Sequence, residues 1–166
     1  IDGDHDNLRQ IKVWVEDSLA ARILDLVGQS LNIRQFMSIK EFGSIQNAYT
    51  VASATAMSGS ELDRTLICTD GDRYRTLEEK QLQIGQKIAS KGERDEAWKS
   101  TALGLIVDFE TTESFQPEKV ILDICKSRRY EENFPSWLND DITWIERQIP
   151  IVDGKKAFNS LRLYKD

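Results

Sequence analysis

The sequence predicts an α/β fold: a mostly parallel sheet flanked by helices, with a helical carboxyl-terminal extension. Three observations lead there. Over residues 11–72, short β-branched apolar runs alternate with segments of helical periodicity, and this β-α-β-α-β order favours parallel pairing through right-handed crossovers. The 166 residues are 40% hydrophobic, enough for the core of one compact domain with a small appendage. No internal repeat or low-complexity linker breaks the pattern.

The elements follow in order. Ile11-Lys12-Val13-Trp14-Val15 is short, apolar and β-branched, a strand. Ser18 to Val27 sets Leu19, Ile23, Leu26 and Val27 on one helical face and stops before Gly28. Ile33 to Ile39 alternates well enough for a second strand, and Ser44 is the N-cap of a helix that Ser58-Gly59-Ser60 ends. Thr65 to Cys68 is a third strand running into Thr69-Asp70-Gly71-Asp72. From Tyr74 to about Lys91 the chain is polar and helical, with Leu77, Leu82, Ile84 and Ile88 as a thin apolar stripe, and Leu103 to Phe109 is a fourth strand. Pro117 suits a helix first turn, and Val120, Ile121, Ile124 and Cys125 form that helix's buried side. A Trp-rich helix over Trp137–Ile149 follows, ended by Pro150, and Gly154 to Tyr164 is a short basic helix. The expected division is a catalytic core over 1–125 and an extension over 126–166.

Composition removes several function classes. No run of about eighteen apolar residues exists, and Ile1-Asp2-Gly3-Asp4-His5-Asp6 is the opposite of a basic, apolar leader, so no membrane partner and a cytoplasmic location are expected. The chain starts with Ile and not Met, the expectation being a piece of a longer protein. Its single histidine, His5, excludes any mechanism that needs two histidines on a metal. Cys68 and Cys125 lack zinc-site spacing and suit core packing. The net charge of −6 argues against nonspecific nucleic-acid binding over the whole surface, although bound divalent ions would reduce it.

Ligand sites of parallel sheets lie at the carboxyl ends of strands. Glu16 and Asp17 fall just past the first strand, and Asp70 and Asp72 just past the third, so these carboxylates are expected on one rim. The glycine between Asp70 and Asp72 permits a tight turn with both acids directed into one cavity. Oxygen donors of this kind suit magnesium or manganese, which phosphoryl chemistry uses to neutralise charge and activate water. The same Asp-Gly-Asp also serves as ordinary turn chemistry.

Val13-Trp14-Val15-Glu16-Asp17-Ser18-Leu19-Ala20, then Phe42-Gly43-Ser44, then Leu66 to Asp72 together resemble a Toprim domain, a Rossmann-like fold. Among Toprim proteins the chain is most similar to the OLD (overcoming lysogenization defect) family nucleases and related anti-phage effectors, well over residues 11–125 and loosely beyond. The resemblance implies a metal-dependent DNA endonuclease joined in its full-length chain to an ABC-type ATPase domain, and a homo-oligomer through that domain. No Gly-x-x-x-x-Gly-Lys-Ser/Thr loop occurs here, consistent with a separated carboxyl-terminal part. By resemblance Glu16 is a metal ligand or activates the attacking water, Asp70 and Asp72 are metal ligands, and Glu118 joins a second metal. Lys155, or failing it Lys156, steadies the phosphate or the transition-state charge. Ala20 stands where many relatives carry an acid, which favours one ion over two; Asp17 either substitutes for that acid or caps the first helix.

Plainer roles exist for the outlying residues. Glu118 suits a helix start, Lys155 and Lys156 a surface helix, Arg128-Arg129 and Arg73-Tyr74-Arg75 a solvated face or a phosphate backbone, and the four tryptophans packing. Two other functions stay open. A response-regulator receiver would use Glu16-Asp17 as its acidic pair and Asp70 as phosphoacceptor, with Thr101 and Lys119 as its remaining residues, though neither ends an apolar strand. A noncatalytic interaction module would keep only the fold.

Overall fold

The structure, a computed structural model, describes residues 10–88, 92, 94–109 and 117–148. The chain divides into two compact units, Ile1–Phe109 and Glu110–Asp166, where the sequence pattern predicts a boundary at 125. In the first unit the parallel sheet is present. Strands β1 (Ile11–Val15), β2 (Met37–Glu41), β3 (Thr65–Thr69) and β4 (Ile106–Asp108) lie in the order β2-β1-β3-β4, each neighbouring pair parallel. The chain leaves β1 toward β2 on one side and comes back to β3 on the other, so the topological switch lies between β1 and β3. Crevices for ligands open beside the carboxyl ends of strands at such a switch.

Side chains alternate across each strand, and the two faces bury different partners. Val13, Val15 and Cys68 pack with Ala20 and Leu24 of α1 (Ser18–Ser30) on one face. On the other, Ile67 joins Tyr49, Ala52 and Ala56 of α2 (Ile45–Ser58), Ile84 of α3 (Leu77–Lys87) and Ala102 of α4 (Asp95–Gly104), with Trp14 packed against them.

Local chemistry explains where elements begin and end, including several departures from the expected bounds. The Asp17 carboxylate caps α1 by accepting from the Ala20 amide at 3.0 Å. This helix does not stop before Gly28 but runs through it to Ser30. A Cβ at Gly28 would lie 3.0 Å from Met37 Sδ and 3.4 Å from Arg34 Cα, so the missing side chain lets α1 press against the approach to β2. That approach is not strand from Ile33, because Arg34–Phe36 forms a 3-10 turn. Arg34 donates to Asp25 Oδ1 at 2.5 Å and to the Met37 carbonyl at 2.7 Å, which ties the segment to α1 instead of the ladder. Helix α2 starts after Ser44 and ends at Gly59, which adopts the left-handed conformation that glycine takes without steric cost.

Helix α3 begins at Leu77, not Tyr74. The Thr76 hydroxyl accepts from the Glu79 amide at 3.2 Å while the Glu79 carboxylate accepts from the Thr76 amide at 3.1 Å, a reciprocal capping box. Helix α4 has no counterpart among the expected elements; it buries little apart from Asp95 and Ala102, so its periodicity is faint. It also takes Leu103 out of the fourth strand, which shortens to Ile106–Asp108.

The second unit holds α5 (Pro117–Arg128) and α6 (Ser136–Gln148). Leu122, rather than Ile124, carries the buried side of α5: Leu122 is 1% exposed and Ile124 51%. With apolar residues at 120, 121, 122, 124 and 125, periodicity alone cannot choose between these faces. Arg129 links the end of α5 to α6, donating to Asn139 Oδ1 at 3.0 Å, Thr143 Oγ1 at 2.9 Å and Glu146 Oε2 at 3.0 Å. The basic helix expected over Gly154–Tyr164 lies outside the described residues. Among the described residues, no helix is long and apolar enough to cross a membrane.

Candidate functional site

Glu16 is placed by the ladder that continues past β1. The Phe42 amide donates to the Val15 carbonyl at 2.8 Å and the Gly43 amide to the Glu16 carbonyl at 3.0 Å, so the residues leaving β2 hold Glu16 in the line of the sheet. Trp14 pairs with Ile67 across β1 and β3. Carried on along both strands, that register sets Glu16 level with Thr69, the residue immediately before Asp70. Glu16 is half-buried and Asp70 is buried, 7% exposed.

The turn after Asp70 is built on backbone conformations that ordinary residues avoid. Gly71 has φ +74° and Tyr74 φ +51°, both left-handed. Glycine meets the first without steric cost; the second is held by its side chain. The Tyr74 hydroxyl accepts from Gln46 Nε2 at 2.8 Å, and its ring meets Tyr49 edge-on at 5.5 Å. Gln46 also donates to Gln83 Oε1 at 2.9 Å, tying α2 to α3 behind the turn. Asp72, between these anchors, is exposed. The Asp-Gly-Asp segment thus presents one buried and one solvated carboxylate.

Two residues not singled out from the sequence complete this end of the sheet. Asp108 closes β4 opposite Thr69. Its Oδ1 accepts from the Thr69 hydroxyl at 2.5 Å, and its Oδ2 accepts from Lys80 Nζ of α3 at 2.5 Å. Burial first, and the Asp108 carboxylate second, raise the Tyr49 phenol above its ordinary value, so it stays a neutral hydroxyl. Cys68, one strand position before Thr69, is pushed up to about 11 by burial and is a core thiol, not a nucleophile. An aspartate near the end of an expected strand was a usable signal for Asp108. Nothing local marked Lys80.

The other sequence-derived residues belong to other segments of the chain. Asp17 caps α1, its Oδ1 accepting from the Ala20 amide. Glu118 belongs to the second unit, in the first turn of α5, and is 4% exposed. Lys155 and Lys156 lie outside the described residues. Thr101 sits within α4 and Lys119 within α5, so neither ends a strand as a receiver would need.

No protein-family model, curated protein or solved structure matches this chain. The case for function therefore rests on the donors themselves. Among the described residues, no three His, Cys, Asp or Glu side chains form a group able to hold a metal ion by themselves. Magnesium asks for less, since it keeps several waters and takes one or two carboxylates together with a substrate's phosphates. Glu16 and Asp70 are oxygen donors of the type such coordination uses, and they follow neighbouring strands.

Proposed function

We propose that this chain is a metal-dependent DNA endonuclease of Toprim type, the nuclease part of an OLD-like, ATP-linked defence protein. The observation that carries the reading is the position of Glu16 and Asp70, which follow adjacent parallel strands at the topological switch of the sheet. When bound, magnesium or manganese supplies charge neutralisation at the phosphate and a more acidic water. Asp70, buried in the turn, and Asp72, on its solvated side, would be the carboxylates that hold the ion. Glu16, level with Thr69 in the register of β1 and β3, would take a proton from the attacking water or serve as an oxygen donor beside the substrate's own phosphate oxygens. Glu118 as a ligand of a second ion and Lys155 as a phosphate contact rest on the family resemblance. So do an ABC-type ATPase domain in the same full-length chain and a homo-oligomer through it, while a cytoplasmic location rests on the composition.

Plasmid nicking tests this directly. Supercoiled DNA incubated with the chain and magnesium or manganese should be converted to open circles, and Asp70→Ala should lose at least about a hundredfold in rate, the scale of removing a main electrostatic element of a site. Equal nicking by the two proteins would remove the assignment. Modification of Asp70 by acetyl phosphate would instead support a receiver.

A further inference from the structure

We propose that Lys80 is a phosphate-contacting cation of this rim and that Asp108 positions it. The proposal rests on the nuclease reading for its substrate, a DNA backbone, but its own basis is the arrangement of three side chains. Lys80 lies in the first turns of α3, and the Thr76–Glu79 capping box fixes where that helix starts. Its ammonium is 2.5 Å from Asp108 Oδ2. The opposite oxygen of Asp108 is taken by the Thr69 hydroxyl, and Thr69 directly precedes Asp70. The lysine is therefore anchored through Asp108 to the strand end that carries a carboxylate of the rim.

Two features separate this lysine from a surface one. Its side chain is only 15% exposed, so much of the freedom a lysine loses on gripping a phosphate is already lost in the fold. An ammonium also has three donors, and the ion pair with Asp108 accounts for one. An acidic rim in a chain of net charge −6 repels a phosphate backbone, which makes a fixed cation beside it valuable for docking DNA. The competing explanation is an ion pair that only fastens α3 to β4.

DNA binding distinguishes them. Affinity for a fluorescein-labelled DNA duplex is measured against salt concentration, with calcium in place of magnesium to suppress turnover, for the wild type, Lys80→Gln and Lys80→Arg. A phosphate contact predicts about tenfold weaker binding for Lys80→Gln and a salt slope lower by about one, with Lys80→Arg close to wild type. Wild-type affinity and slope in a folded Lys80→Gln would overturn the proposal. If that variant does not fold, Lys80→Met/Asp108→Asn removes both charges together; a reduced slope there supports the contact, and an unchanged one overturns it. Failure of the nuclease reading looks different. A wild-type chain that never nicks plasmid, while Lys80→Gln still loses affinity and slope, discards the cleavage reaction and keeps the phosphate contact.

Discussion

Thr69 and Asp108 form a register pair across β3 and β4 and share a hydrogen bond of 2.5 Å, hydroxyl to carboxylate, directly behind Asp70. Thr69 is 1% exposed, so its hydroxyl has no water to turn to. Thr69→Val keeps the shape and removes the donor. A hydrogen bond to a charged group contributes about 2 kcal/mol, and a loss of that size is expected in urea denaturation. Because the bond also orients Asp108, nicking should slow in the same variant. Unchanged stability and unchanged rate would together show that the pair is incidental to the rim.

Asp17 offers the opposite contrast. Its carboxylate caps α1 through the Ala20 amide, and Asp17→Ala should cost about 1 kcal/mol. With the cap as the role of this carboxylate, the manganese concentration that gives half-maximal nicking should not move. A marked rise in that concentration would return Asp17 to the ligand set.

Alkaline pH should weaken the fold. Burial raises the Cys68 thiol from its ordinary 9.0 to about 11, and burial followed by Asp108 raises the Tyr49 phenol above its ordinary 10.0. The folded state holds both groups in their neutral forms. Their contribution is complete below the unfolded values and is lost as the unfolded chain ionises, for the thiol between about 9 and 11 and for the phenol from 10 upward. The urea midpoint should fall across that window. In Tyr49→Phe the fall above pH 10 should be shallower than in the wild type, and parallel curves would show that the buried phenol is not its source.

Much of the fold was legible because its signals are local. Ile11–Val15 and Thr65–Thr69 are compact apolar strands, Ser44 and Gly59 bracket α2, and Pro117 opens α5. Elements whose signals are weak or borrowed from elsewhere were not legible. Helix α4 buries too few side chains to show a period, and the turn at Arg34–Phe36 exists because Arg34 reaches Asp25 on α1. Gly28 reads as a helix stop and is in fact a contact point with Met37.

For the candidate site, the sequence by itself determined which carboxylates follow strands: Glu16 comes after β1 and the Asp70-Gly71-Asp72 turn after β3. Tertiary structure alone decided which strand ends are neighbours, placing β1 beside β3 and so Glu16 and Asp70 after adjacent strands. It also joined Asp108 to Thr69 and Lys80, residues 39 and 28 positions away along the chain. The reason is physical. Periodicity and capping are imprinted within a few residues of one segment, whereas strand order and ion pairing depend on which distant segments pack together, and no single segment records its partner.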